Sequence, residues 1–387
     1  MIITVTTTDV AHGGVCVARH EGIVVFVSGG LPHEVLEVEV TEKKKNQWYA
    51  RTIEVNQASP DRVPHVWPLA QTTGVGGADL GHVSLDAQRR WKATVIEHQM
   101  RRMAHLDLSV SVEPAPIDSE NHGLAWRTRV SVKTTDQGLL GMNAHKSHEI
   151  IPVDGMPLTH EQIQKALAED LTRTHPPGKI MGYVYGSTSG LTRVGSKTST
   201  VHERVETSFG TWSYEVAADG FWQVHRQAPQ ILVEAVLDAI GETHQPIIDL
   251  YCGAGLFSIP LADFFQVPVT AVESSPLAVQ YLRRNAHGFD VTPVRDDAST
   301  TLRTHCVGAA GTIVCDPPRS GVGVRGVREI LRVKPEKVVY VACDPATLAR
   351  DLGLFVAQGY DLINLRAFDL FPMTHHVEAV AVLSKTL

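Results

Sequence analysis

The sequence contains little cysteine and lacks any long apolar run. Its cysteines are odd in number, are scattered along the chain and never form a C-x-x-C pair. They are Cys16, Cys252, Cys306, Cys315 and Cys343. This distribution indicates neither a disulfide framework nor a zinc site. Because no apolar stretch reaches membrane-spanning length, no membrane association is expected.

Composition and charge are those of an ordinary globular protein. Of the 387 residues, 43% are hydrophobic and 20% are charged, which allows a large core and two or three domains. The formal net charge of −7 argues mildly against a nucleic-acid partner, although a local basic stripe would be enough to bind one. The first residues, MIITVTTTDVAHGG, lack a basic start and an apolar signal segment, so the chain is expected to be cytoplasmic.

Residues 1–57 have the pattern of a small all-β unit. Five short runs rich in β-branched residues are separated by glycine and proline, which is typical of a closed or nearly closed barrel. Near the end of this unit, Lys44 lies close in sequence to Trp48 and Tyr49. Such a mixture suits RNA, because cations pair with phosphates and aromatic rings stack on bases. A solvated hairpin tip is the alternative.

Residues 58–84 are rich in proline and glycine and are predicted to form an irregular linker. Residues 85–213 are predicted to form a central α+β domain. It begins with a basic amphipathic helix over residues 85–105, and a later strand carries Arg127 and Arg129. These two arginines are candidate RNA contacts, although surface arginines often only solvate a face.

Strand-like and helix-like segments alternate from residue 214 to residue 387. A predicted helix over residues 228–240 comes first, apolar strands and helices then follow one another, and two strands close the chain. This alternation predicts a doubly wound α/β domain, in which ligands bind outside the carboxyl ends of the strands.

A glycine turn within DLYCGAGLFSIPLA follows the first strand of this predicted domain. Gly253 and Gly255 would let a ligand approach the backbone closely. Because a full G-x-G-x-x-G pattern is missing, the turn indicates a nucleoside cofactor without specifying which one. Glu273 ends the next strand, where an acid can hold ribose hydroxyls.

Cys343 lies in VVYVACDPATLARDL, between a predicted strand and a predicted helix that Asp344 caps. The helix dipole is expected to favour the thiolate, and hence a nucleophile, whereas a buried structural cysteine is the alternative. Glu378 lies within an apolar strand, where burial would raise its pKa and suit a general base. A salt bridge with an arginine is the alternative for this carboxylate.

Two further segments place polar side chains where a ligand is expected. The prolines of DPPR stiffen a loop that carries Asp316 and Arg319 at a predicted strand end. The segment FWQV places the amide of Gln223 beside aromatic residues, where it could read a base edge or cap a helix.

Five segments follow one another along the chain: FWQVH, DLYCGAGLFSIPLA, DPPRSGV, VACDPATLARDL and FPMTHHVEAVAVL. Together they resemble the S-adenosylmethionine-dependent RNA uridine-5-methyltransferases. Residues 1–57 resemble the TRAM domain that precedes many members of that family, and the resemblance covers nearly the whole chain. It implies an α/β, Rossmann-like class I methyltransferase domain that follows a small β-barrel and a central α+β domain.

The resemblance implies a covalent mechanism in which Cys343 adds to carbon 6 of uracil and Glu378 removes the proton from carbon 5. The target base must leave its stack to be reached, which implies base flipping. The resemblance adds Arg319 to the candidate substrate contacts Lys44, Arg127 and Arg129. The residues expected to hold S-adenosyl-L-methionine are Gln223, Tyr251, Gly253, Gly255, Glu273, Asp297 and Asp316.

Departures from the family concern a metal cluster and the neighbour of the nucleophile. Many relatives carry four cysteines that bind an iron–sulfur cluster, and those positions are Leu69, Val75, Ala78 and Met156 in this chain. None of these side chains ligates iron as a thiolate does, so we expect no cluster and no other metal site. Asp344 stands where asparagine is common, and its charge would raise the pKa of the neighbouring thiol.

The sequence therefore predicts a monomeric enzyme that forms 5-methyluridine in RNA. The TRAM-like unit favours 23S rRNA over transfer RNA as the substrate. One alternative is an RNA-binding or folding factor that has lost its chemistry, against which the intact Cys343, Glu378 and Asp316 argue. The other is a methyltransferase for small molecules or proteins, against which the barrel and the basic central segments argue.

Overall fold

A computed structural model describes residues 1–144, 147–170, 173–185, 188–195, 199–304 and 311–385. The amino-terminal unit is a closed barrel with strand order β1-β2-β3-β5-β4. Its strands are β1 Ile2–Ala11, β2 Val15–His20, β3 Ile23–Ser28, β4 Val35–Lys44 and β5 Gln47–Gln57. Alternate residues point inward, so that Val5, Val25 and Leu36 are buried inside the barrel. The predicted barrel is confirmed.

The predicted linker, residues 58–84, packs between the barrel and the next helix. It contains one short helix, α1 Pro68–Thr73, and is otherwise irregular. Leu80 and Val83 share an apolar cluster with Trp91 and with Cys16 of the barrel. The linker is therefore a packed connector that fixes the barrel to the rest of the chain.

The central region combines helices with a small sheet whose described strands have the order β11-β10-β7-β8-β9. Its elements are α2 Leu85–Gln99, β6 Val112–Pro114, α3 Pro116–Glu120, β7 Arg129–Thr134, β8 Leu140–Asn143, β9 Ile150–Pro152, α4 Glu161–Asp170, β10 Lys179–Tyr185 and β11 Thr188–Arg193. A π-helical turn, Met100–Ala104, continues α2. Strand β6 leaves this region and joins the carboxyl-terminal sheet beside its last strands.

A hairpin of β12 Thr200–Thr207 and β13 Gly210–Ala217 precedes the carboxyl-terminal helices. Its inward-facing Trp212 and Tyr214 belong to the same apolar core as those helices. The predicted boundary between residues 213 and 214 falls inside β13 and would divide this hairpin. Packing therefore groups the whole hairpin with the carboxyl-terminal domain.

The carboxyl-terminal domain is built on a sheet whose described strands have the order β16-β15-β14-β17-β18-β20-β19-β6. Strands β14 to β18 run parallel, and β20 runs antiparallel between β18 and β19. Two apolar cores cover its two faces, as expected for apolar strands buried on both sides. Its elements are α5 Ala228–Ile240, β14 Ile247–Leu250, α6 Ser258–Phe265, β15 Val269–Glu273, α7 Pro276–Asn285, β16 Val291–Arg295, α8 Ala298–Thr304, β17 Thr312–Cys315, α9 Gly323–Val333, β18 Lys337–Ala342, α10 Pro345–Val356, β19 Tyr360–Asp369 and β20 Glu378–Lys385.

This sheet confirms the predicted Rossmann-like architecture. Parallel strand ends from β14, β15, β17 and β18 meet at one edge, and the start of β20 reaches the same edge. Within the part of the chain that the structure describes, no helix is both long and apolar enough to cross a membrane.

A buried ion pair connects helix α2 to the carboxyl-terminal sheet. The Nζ of Lys92 donates to Oδ1 of Asp369 at 2.5 Å and to the carbonyl of Phe371 at 3.1 Å. The Lys92 side chain is fully buried, and that of Asp369 is 2% exposed. A charge pair in such a place depends on both partners being present.

We expect the substitution Lys92→Met to lower the free energy of unfolding by about 3–5 kcal/mol, because it leaves Asp369 buried without its cation. Denaturant unfolding of the two proteins measures the difference. The matched control is Arg90→Ala, which removes a solvent-exposed pair with Asp61 and should cost less than about 1 kcal/mol. Equal losses for both variants would contradict the assignment.

Candidate active site

The two predicted catalytic residues lie side by side at the ligand-binding edge of the sheet. The antiparallel ladder of β18 and β20 ends with Ala342 opposite Ala379. The next residues outward on the two strands are Cys343 and Glu378, so the register places them next to each other. Glu378 is 3% exposed, whereas Cys343 is half-buried and open to a substrate.

The acidity of Cys343 differs from the sequence prediction. Burial raises the pKa of this thiol from 9.0 to about 12, and the carboxyl groups of Glu378 and Asp316 add to the effect. Arg319 acts in the opposite direction. Burial and these carboxyl groups oppose the thiolate that the helix terminus was expected to favour, since a helix dipole contributes about 0.3–1 kcal/mol and up to about 2 kcal/mol in partly buried sites.

The two carboxyl groups beside the thiol also have raised pKa values. Burial raises the pKa of Asp316 to about 7. Burial and the charge of Asp316 raise the pKa of Glu378 well above its usual range, while Arg319 lowers it. The site thus holds a thiol and two acids that compete for protons around one guanidinium, an arrangement that suits proton transfer.

Arg319 is held in place from two sides. Its Nη2 donates to Nε2 of His376 at 3.0 Å, and the hydroxyl of Thr347 donates to its carbonyl at 3.1 Å. Burial lowers the pKa of His376 to about 3, with His375 and Arg319 adding, so this ring is neutral and can accept the bond.

The other three predicted RNA contacts, Arg127, Arg129 and Lys44, have different surroundings in the structure. Burial lowers the pKa of Arg127 to about 10, with the charges of Arg319 and Arg129 adding, and its Nε donates to the carbonyl of Arg129 at 2.8 Å. Arg129 instead is 4% exposed and donates to the carbonyl of Ala218 at 2.9 Å. The prediction that Arg129 binds substrate is corrected: a guanidinium buried in this way supports the fold. Lys44 is exposed on the barrel and pairs with Glu42 at 3.3 Å.

The glycine turn after β14 is shaped to receive a ligand. Tyr251, Gly253 and Gly255 all have positive φ, at 62°, 57° and 99°. A Cβ on Gly255 would lie 2.9 Å from Leu282, so that glycine permits close packing. A Cβ on Gly253 would meet no described atom within 4 Å, so the backbone there borders open space.

Two of the predicted cofactor contacts beside this turn are the carboxylates of Glu273 and Asp297. Glu273 accepts from the backbone N–H of Gly253 at 3.1 Å and from that of Ser275 at 2.6 Å, which fixes the acid on the turn. Asp297 lies further out, where its Oδ1 accepts from Thr300 N at 3.0 Å and caps α8. Both remain predicted cofactor contacts.

Sequence reasoning missed Asp249, which is fully buried at the end of β14. One of its oxygens accepts from the Ser258 hydroxyl at 2.5 Å, and the other has no partner among the described residues. Burial raises its pKa to about 7, Ser258 opposes this, and Asp316 and Glu273 add to it. A lone acid in an apolar strand was the available signal, the same one that identified Glu378.

Gln223 and Phe221 stand just before the carboxyl-terminal helices. Gln223 is 8% exposed, and its side-chain amide makes no hydrogen bond to the described residues. Phe221 is 77% exposed, which is unusual for a large apolar side chain. Both side chains are therefore available to a ligand.

Together, the open space at Gly253, the available amide of Gln223 and the acidic strand ends fit a nucleoside cofactor that carries positive charge. The half-buried Asp316 would face such a charge, which would favour its ionised form.

The positions that replace iron-ligating cysteines form one apolar cluster. Val75, Ala78 and Met156 are each at most 3% exposed, and Leu69 packs against them. Met156 fills the space beside Gly77, where a Cβ would lie 2.8 Å from its methyl group. Among the described residues, no group of three or more histidine, cysteine or acidic side chains could hold a metal.

We expect the purified protein to be colourless and free of stoichiometric iron, because an apolar cluster offers no ligand to a metal. Iron determination and an absorption spectrum on anaerobically prepared protein measure this. A brown preparation with iron bound in proportion to the chain would contradict the prediction.

The fold and this site define a methyltransferase of the Rossmann-like, S-adenosylmethionine-dependent kind, with a barrel at its amino terminus. The sequence pattern of the family described as tRNA (uracil-5-)-methyltransferase matches residues 160–295 and 306–386, and that of the TRAM domain matches residues 2–53. An uncharacterized RNA methyltransferase of Bifidobacterium longum is 37% identical over 97% of this chain and 95% of that protein. The chain therefore belongs to the tRNA (uracil-5-)-methyltransferase family and is an RNA (uracil-5-)-methyltransferase, which confirms the resemblance.

Two further comparisons concern proteins whose names state a substrate. The 23S rRNA (uracil(1939)-C(5))-methyltransferase RlmD of Shewanella sediminis is 29% identical over 98% of this chain and 95% of that protein. The structure of the Pyrococcus abyssi tRNA (uracil-54, C5)-methyltransferase in complex with S-adenosyl-L-homocysteine superposes with a TM-score of 0.73 at 22% identity. That match covers 98% of this chain and 100% of the other, and it shows a shared fold.

Proposed function

We propose that this enzyme transfers a methyl group to carbon 5 of a specific uridine in RNA through a covalent adduct with Cys343. The observation that carries the proposal is the register of β18 and β20, which places Cys343 beside Glu378 at the strand ends that bind ligands. A nucleophile and a buried base next to each other are what addition and elimination on one ring require.

The residues divide the reaction between them. The Sγ of Cys343, as the thiolate, bonds to carbon 6 of uracil, and the electron pair of the double bond between carbons 5 and 6 moves into an enolate whose carbon 5 can attack an electrophile. S-adenosyl-L-methionine, when bound, would supply that electrophilic methyl group and leave as S-adenosyl-L-homocysteine. Glu378 then accepts the proton from carbon 5, the bond between carbon 6 and Sγ breaks, and the thiolate is regenerated. Arg319 stabilises negative charge beside the thiolate and the ring.

Cofactor contacts follow from the same strand ends. We assign Gly253 and Glu273 to the nucleoside part of the cofactor, because Gly253 borders open space beside β14 and Glu273 accepts its backbone N–H. We assign Gln223 to the cofactor from its place in the segment FWQVH that resembles the family. Asp316 would face the positive charge of the methyl donor when that cofactor is bound. Tyr251 and Asp297 complete the set at the rim of the turn.

RNA is proposed to follow a groove of about 760 Å³ between the barrel and residues 70–79. Phe26 and Tyr49 stack there with ring centroids 5.5 Å apart, and Lys44 lies 5.0 Å from the Tyr49 ring. Such a surface accepts bases and phosphates of an unpaired strand. Phe221 is the exposed ring on which the flipped uracil stacks.

The favoured substrate is 23S rRNA, because the chain carries a TRAM domain and aligns over nearly its whole length with the Shewanella enzyme. A transfer RNA is the second candidate, since the archaeal enzyme of similar fold acts on one. The reading as an RNA-binding factor without chemistry is disfavoured because Cys343, Glu378 and Asp316 stand together.

The test is a comparison of 5-methyluridine in RNA from cells with and without the gene, followed by methylation of the purified RNA in vitro with labelled cofactor. We expect one site in 23S rRNA to lose its methyl group and to regain it with the enzyme. Loss of the modification from transfer RNA alone would move the substrate to the second candidate. Labelling of protein or small molecules instead of RNA would overturn the proposal.

A further inference from the structure

The turn between β1 and β2 of the barrel reaches the catalytic loop. Nε2 of His12, in this turn, lies 3.3 Å from Oδ2 of Asp344, the residue that follows Cys343. The other carboxylate oxygen of Asp344 accepts from Thr347 N at 2.9 Å and caps α10. The Asp344 carboxylate is thus shared between its own helix and a residue 332 positions away in sequence.

Close packing holds the barrel turn in this position. A Cβ on Gly14 would lie 3.1 Å from His375 and 3.2 Å from the Asp79 carboxylate, so a glycine is needed there. Asp79 in turn accepts from the backbone N–H of His375 at 3.0 Å. The His12 ring meets the His375 ring edge to face, with centroids 6.3 Å apart. The turn therefore forms a wall of the active site.

The negative charge of Asp344 disfavours the thiolate form of Cys343 unless a hydrogen-bond donor or a cation offsets that charge. It is one of the groups whose field disfavours the Cys343 thiolate, together with Glu378 and Asp316. Burial alone would raise the pKa of Asp344, but the hydrogen bonds from His12 and Thr347 outweigh burial and lower it to about 2. Asp344 is therefore ionised at neutral and alkaline pH, and a hydrogen-bond donor or a cation must offset the charge of its carboxylate.

We infer that His12 is a positioning residue of the barrel that binds the Asp344 carboxylate and thereby keeps Cys343 reactive. The inference rests on the proposed function, because it takes Cys343 as the nucleophile. The groups that face Cys343 are Glu378 on β20, Asp316 and Arg319 on the loop after β17, and Asp344. The groups that face His12 are Asp344 and His375. Docking of the barrel and reactivity of the thiol are coupled through this one contact between His12 and Asp344.

Alkylation of Cys343 by iodoacetamide tests the inference on the full-length chain without RNA or cofactor. The rate is followed from pH 7 to 10 by mass spectrometry of the peptide that contains Cys343. We expect His12→Asn to slow alkylation about threefold at each pH of this range, since below the pKa of the thiol a shift of one pKa unit changes the thiolate fraction tenfold. Asp344→Asn keeps an N-cap and removes the charge, so it should speed alkylation at each pH.

The variant with both His12→Asn and Asp344→Asn tests whether His12 acts on Cys343 through Asp344. With Asp344→Asn present, His12→Asn should have no further effect on the alkylation rate. The matched control is His98→Asn. This histidine lies on α2, 3.8 Å from Asp9 of barrel strand β1, and its replacement should leave alkylation unchanged. An unchanged rate in His12→Asn, or an equal loss with and without Asp344, would overturn the inference.

This result is independent of the RNA assay. If the alkylation rates follow the expected cycle but no RNA is methylated, the proposed substrate fails and the role of His12 stands. If RNA is methylated but His12 does not influence alkylation, the further inference alone fails.

Discussion

The substitution Cys343→Ala is expected to reduce methyl transfer to RNA on the order of 10⁴-fold or more, because no other group can form the bond to carbon 6. Without that bond, carbon 5 of uracil is too weak a nucleophile to accept the methyl group. Initial rates with labelled cofactor and RNA measure the effect. Because Cys343 is half-buried at a strand end, alanine fits there and the fold should persist.

A matched control separates chemistry from folding. Cys16 is a buried thiol in the barrel whose Sγ donates to the carbonyl of Gly30 at 3.2 Å, away from the strand ends that form the site. Cys16→Ala should retain methyl transfer at a level close to that of the parent enzyme. Activity within tenfold of the parent in Cys343→Ala would contradict a covalent mechanism.

Strong local patterns made most of the carboxyl-terminal fold predictable. The helix predicted over residues 228–240 has these bounds in the structure, and continuous apolar runs marked the parallel strands. The hairpin β12–β13 was missed because its outward positions are charged and its inward positions pack on helices that come later in sequence. Helix α8 was missed because it is short and polar, with three buried residues.

The candidate site was predictable where it depends on strand ends and unpredictable where it depends on distant contacts. Cys343 and Glu378 follow from their positions next to apolar strands. The contacts of His12 with Asp344 and of Asp79 with His375 join segments about 300 residues apart, and nothing local in the sequence indicates them. At Cys343, burial and two neighbouring carboxyl groups raise the pKa of the thiol and so oppose the helix dipole, an effect that the local sequence indicates only for Asp344.

The second large effect is expected for Glu378→Gln, which should separate the two halves of the reaction. Glutamine has nearly the shape of a protonated glutamic acid, and burial already raises the pKa of Glu378 well above its usual range, so packing should be retained. The amide cannot accept a proton. Addition of Cys343 and methylation of carbon 5 should continue, whereas removal of the proton from carbon 5 should stop.

The expected result is a methylated RNA that stays bonded to the protein. Turnover should fall by about 10²–10⁴-fold, the usual contribution of a general base, while a covalent complex accumulates to one RNA per chain. Denaturing gel electrophoresis with labelled cofactor measures both quantities, because the label then migrates with the protein. The double variant Cys343→Ala, Glu378→Gln should form no complex. Normal turnover in Glu378→Gln, or the same complex in the double variant, would show that another residue removes the proton or forms the bond.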